Sequence, residues 1–60
     1  MKKGDKVEIK NITSDLRAFQ NSIIQELWTG IITGKKYAVL KNTKGQVVKN
    51  VEVSNLKLLS

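Results

Sequence analysis

The chain has 60 residues, with 11 basic and 5 acidic side chains, a net charge of +6, and neither His nor Cys. That length suits one domain, 1–60, and no disulfide or thiolate metal site is available to staple it. Without His or Cys, and with no carboxylate pair or Gly-x-Ser-x-Gly turn, the composition points away from acid–base, nucleophilic and metal catalysis. No cofactor or metal is expected.

Lys6-Val7-Glu8-Ile9-Lys10 alternates charged and apolar residues, the signature of a strand with one wet face. Gly4-Asp5 before it marks a turn. The next stretch is ambiguous. Ser14 and Asp15 suit the start of a helix, and Leu16, Phe19, Ile23 and Leu27 recur at helical spacing. Asn21 and Ser22 oppose a helix interior. A partly helical insertion over about residues 15–26 is expected, with an irregular excursion as the alternative.

Trp28-Thr29-Gly30-Ile31-Ile32-Thr33 is rich in β-branched and aromatic residues and predicts the second strand. Gly30 within it suggests a bulge or a close backbone approach. Gly34-Lys35 is a tight turn, and Lys36–Lys41 predicts the third strand. Asn42–Gly45 is a second turn, and Gln46–Val53 predicts the fourth strand. Val47, Lys49, Val51 and Val53 would share one face. Lys49 interrupts that apolar set, so a bulge or twist near Asn50 is expected. Ser54-Asn55-Leu56 suits a single 3₁₀ turn, and Lys57-Leu58-Leu59 a short last strand.

Five short strands in this order fit a mainly β chain that bends into a small, partly closed barrel. Gly4-Asp5-Lys6-Val7 resembles the Gly-Asp-x-Val opening of the SH3-like barrels of KOW and Tudor type. Trp28-Thr29-Gly30-Ile31-Ile32 is similar to their second strand and Tyr37-Ala38-Val39 to their third. Val51 to Leu56, with Val53 and Leu56 as core anchors, resembles the end of their fourth strand and its 3₁₀ turn. The resemblance implies a five-stranded SH3-like barrel, with residues 13–26 in place of its long first loop. It implies an architecture, and such barrels also occur in small phage and plasmid proteins.

Two non-catalytic functions follow as expectations. The first is a module for DNA or RNA, using Lys2, Lys3, Lys35, Lys36, Lys41 and Lys44 with Tyr37 as a stacking face. Ten of the eleven cations are Lys, which favours phosphate contact over base readout. The second is a protein-interaction module, an adaptor or inhibitor of the kind phages and mobile elements encode, using Phe19, Ile23, Ile24 and Trp28. That apolar surface would also serve a homodimer, so monomer and homodimer both stay open. Trp28 is otherwise expected in the core. No apolar run suits a membrane helix, and a cytoplasmic location is expected.

Overall fold

The structure, a computed structural model, describes residues 1–59. Five antiparallel strands form one sheet: β1 (Lys6–Ile9), β2 (Ser22–Thr29), β3 (Lys36–Lys41), β4 (Val47–Glu52) and β5 (Leu56–Leu58). Their order across the sheet is β4-β3-β2-β1-β5. A 3₁₀ helix, Ser14–Phe19, fills the first connection, and a second, Val53–Asn55, links β4 to β5. Among the described residues no helix is long and apolar enough to cross a membrane.

The sheet is strongly coiled without being closed. β4 and β5 occupy opposite edges, four strand spacings apart, and no ladder joins them. In a flat sheet that separation would be about 19 Å. Only Val53–Asn55 lie between the two strands, and even a fully extended link of that length reaches only about 14 Å. The sheet must therefore curl until its edges approach. The expected barrel is thus corrected: the strand number holds, but hydrogen-bonded closure is absent, since β5 pairs with β1 and its other edge forms no ladder with β4.

Two bulges set the faces. In β2, Ile24 pairs with Leu40 and Glu26 with Val39, so Gln25 is the extra residue. Ser22 and Ile24 point inward before it and Leu27 after it. Ile23, which is exposed, and Leu27, which packs on the core, therefore lie on opposite faces, so the helical spacing of Leu16, Phe19, Ile23 and Leu27 does not mark one face. The partly helical insertion expected over about residues 15–26 is corrected: six residues of 3₁₀ helix end at Phe19, and β2 begins at Ser22. The N-cap position of that helix is Thr13, not Ser14. In β4, Ala38 pairs with Val51 and Leu40 with Val48, leaving Lys49 and Asn50 opposite Val39. Asn50 takes φ 61°, a left-handed conformation open to Asn. This is the irregularity expected there. It also turns Val48 and Val51 inward and Val47 out, in place of the face predicted from strict alternation.

The core comprises Val7, Ile9, Phe19, Ile24, Ala38, Leu40, Val51 and Leu56, with Leu16, Leu27, Val48 and Val53 packed against it. Two buried polar residues tie the first connection to the sheet. The Ser22 hydroxyl donates to the Phe19 carbonyl at 2.8 Å, satisfying the end of the 3₁₀ helix. The Asn42 amide donates to the Ala18 carbonyl at 3.1 Å and to Gln46 Oε1 at 2.9 Å. Its Oδ1 accepts from the Lys44 and Gln46 backbone N–H groups at 3.0 and 2.9 Å. One side chain thus organises the β3–β4 turn and anchors the insertion to it.

Candidate binding surface at the β2–β3 end of the sheet

Trp28 and Tyr37 are direct cross-strand partners in the β2–β3 ladder, so both project from the outer face. Their rings stack with centroids 4.6 Å apart and planes 24° from parallel. Trp28 is 43% exposed. Its expected place in the core is thus overturned, because the Gln25 bulge moves the inward position to Leu27 and turns Trp28 out.

Cations border this pair on both sides. Lys35 precedes β3 and lies 3.6 Å from Glu52, the cross-strand partner of Tyr37, whereas Lys36 alternates to the face of Ala38 and Leu40 and reaches Trp28 at the rim beside Leu27 and Val53. On the other flank the chain before β1 continues along β2. The Gly4 N–H donates to the Ile24 carbonyl at 2.8 Å, and the Ile24 N–H donates to Asp5 at 3.0 Å. Asp5 holds the turn through its own backbone N–H to Lys2 and its carboxylate on the Lys2 backbone N–H. Met1 then comes to line a shallow depression with Trp28 and Lys36. The Lys3 ammonium lies 3.5 Å from Glu26, two residues from Trp28.

Lys2 is tied to Asp5 through its backbone, and four of the seven residues expected to contact nucleic acid, Lys3, Lys35, Lys36 and Tyr37, lie near Trp28. Lys41 and Lys44 do not. Lys41 ends β3 about 17 Å along the strand from Lys36, and Lys44 lies in the turn beyond it. Two of the gathered lysines face carboxylates: Lys3 faces Glu26, and Lys35 lies 3.6 Å from Glu52. These pairs are solvent-exposed, and such pairs contribute about 0–1 kcal/mol, so a phosphate can compete for the same ammonium groups.

The apolar residues expected to meet a protein are divided. Phe19 and Ile24 are buried, at 8% and 1% exposure, and belong to the core. The small fold does cover them, because the 3₁₀ helix folds Phe19 inward. Ile23 and Trp28 face solvent.

The stretch expected to continue β2 turns back instead. Gly30 ends the strand, with its N–H donating to the Lys35 carbonyl at 2.8 Å, and the Gly34 N–H returns to the Gly30 carbonyl at 2.8 Å. A Cβ at Gly30 would stand 2.6 Å from Thr33 Oγ1 and 3.1 Å from Tyr37 Cε2, the close approach expected of this glycine. The Lys35 N–H donates to Thr33 Oγ1 at 3.2 Å, and that hydroxyl lies 3.3 Å from the Tyr37 hydroxyl. This closed base presents Ile31 and Ile32 at the apex, 101% and 98% exposed. Sequence reasoning took them as strand residues because both are β-branched. A groove of about 520 Å³ lies beside them, lined also by Trp28, Tyr37, Gly30 and Asn50. No protein family, curated protein or solved structure matches the chain.

Proposed function

We propose that this chain is a non-catalytic binding domain of SH3-like architecture that takes single-stranded nucleic acid across the β2–β3 end of its sheet, with little sequence preference. The strand order β4-β3-β2-β1-β5 and the three-residue link from β4 to β5 support the architecture. One observation carries the function: Trp28 is half exposed, braced by Tyr37, and has Lys36 beside it and Lys3 and Lys35 close by.

An unpaired base stacks on the open face of Trp28, an interaction worth about 1–3 kcal/mol per base and tolerant of base identity. Tyr37 fixes the indole beforehand, so little side-chain freedom is lost on binding. Lys35 and Lys36 on one side and Lys3 on the other contact the backbone phosphates. Arg17, the one guanidinium, lies in the 3₁₀ helix rather than beside Trp28, so the surface lacks the fork that reads guanine. Duplex DNA keeps its bases stacked and offers Trp28 no face.

The test uses Trp28, the one tryptophan of the chain, as reporter. Single-stranded oligothymidylate and oligouridylate should quench its fluorescence at low salt. The affinity should fall with salt at a log–log slope of about −0.7 per phosphate contacted. Duplex of equal length should bind more weakly. Absence of quenching or of any mobility shift at low salt with every oligonucleotide would overturn the proposal.

A further inference from the structure

We infer that the β2–β3 tip is a self-association surface, on which two copies of the chain pack end to end, each seating its Ile31 and Ile32 in the groove of the other. The tip shares Trp28 and Tyr37 with the proposed nucleic-acid surface and adds Ile31 and Ile32, so self-association and nucleic-acid binding compete for one groove.

Three observations select this occupant. First, the knob and the hole are neighbours on one patch: Ile31 and Ile32 project fully into solvent and also border the groove of about 520 Å³ that Trp28 and Tyr37 complete. A patch carrying both complementary shapes satisfies a two-fold contact, because each copy supplies what the other needs. Second, no residue lining the groove is charged, although the chain carries +6 overall. A charged group seated inside the groove finds no partner charge there, whereas an apolar tip needs none. Third, the loop is tied at its base by Gly30, Thr33 and Gly34 hydrogen bonds. The two isoleucines are therefore held outward, and little ordering cost remains for association. The patch is one hairpin end, smaller than the roughly 800 Å² per partner of a stable interface. The dimer is accordingly weak and forms in the micromolar to millimolar range.

Sedimentation equilibrium from about 20 μM to about 1 mM tests this. The weight-average mass should rise from 6.7 kDa toward twice that value. Two bodies of like charge repel, so raising salt from about 20 to about 300 mM should tighten association several-fold. Salt should act in the opposite sense on any nucleic-acid complex. Ile31→Asp with Ile32→Asp should hold the mass at the monomer value, with near-ultraviolet circular dichroism reporting an intact fold. Val47→Asp, on the exposed β4 edge, should associate as the parent chain does. A monomer mass throughout at high salt overturns the inference. So does association that survives the double substitution or is lost with Val47→Asp instead. Adsorption of a monomeric chain to phosphatidylcholine–phosphatidylglycerol vesicles, with a blue shift of Trp28 abolished by the same double substitution, would assign the tip to a lipid surface and likewise overturn it.

Discussion

The Asn42 side-chain amide reaches the Ala18 carbonyl at 3.1 Å, joining the β3–β4 turn to the 3₁₀ helix across 24 residues of sequence. Asn42 is almost fully buried and uses both ends of its amide. Asn42→Ala strips a partner from the Ala18 carbonyl, from Gln46 Oε1 and from two backbone N–H groups. At roughly 1 kcal/mol per hydrogen bond, and more where a buried group is left unpaired, the expected loss is about 2–3 kcal/mol. A urea melt should show it as a lower midpoint with little change in slope. Asn42→Asp keeps the acceptor but turns a carboxylate oxygen toward Ala18 and Gln46, and should also destabilise.

Asn50 supplies a different prediction. Its φ of 61° suits Gly and is strained for a β-branched residue. Asn50→Val should cost about 1–2 kcal/mol, and Asn50→Gly should be close to neutral, both read by thermal or urea denaturation.

Gly30→Ala should act on the aromatic pair rather than on the core. The added methyl would meet Thr33 Oγ1 at 2.6 Å and Tyr37 Cε2 at 3.1 Å. Displacing Thr33 disturbs its contact with the Tyr37 hydroxyl. The expected result is a changed Trp28 near-ultraviolet signal with a stability loss of about 1 kcal/mol.

Oligonucleotide binding separates the two ends of β3. Trp28→Ala should weaken it by about 5- to 150-fold, the equivalent of losing one stacked base. Lys36→Ala should lower the salt slope by about 0.7. Lys44→Ala should change neither affinity nor slope appreciably, since Lys44 sits in the turn past the far end of the strand. Titrations at two or more salt concentrations decide all three.

Parts of this structure were legible because alternation was unbroken. β1 and β3 lie where period-two patterning puts them, and Lys49, an interruption in β4, marks the bulge at Asn50. Ser22 to Leu27 misled for a physical reason. Residues four apart share a face in a regular strand as well as in a helix, and only the pairing with β3 shows that an extra residue at Gln25 puts Ile23 outside and Leu27 inside. The same bulge hid the candidate site, because it decides whether Trp28 faces the core or water. Ile31 and Ile32 were illegible in another way: β-branching favours strands, but the hydrogen bonds of Gly30 and Gly34 close the loop first. Lys35, Lys36 and Tyr37 could be named from composition and order, whereas the approach of Lys3 to Glu26 and of Met1 to Trp28 depends on how the chain before β1 runs along β2.

β1 lies between β2 and β5, with two residue pairs to the first and three to the second. Its partner Leu56–Leu58 comes some fifty residues later in the chain, while the β2–β3–β4 meander is joined by short turns. Closing so long a loop costs entropy that the meander does not face, so the meander should assemble first and β1 should dock late. In a growing chain β1 has one bare edge until Leu56–Leu58 have been synthesised. The order of synthesis and the order of folding therefore run in opposite directions for this strand, and native-state hydrogen exchange should find the β1–β5 amides opening before those of β2 and β3.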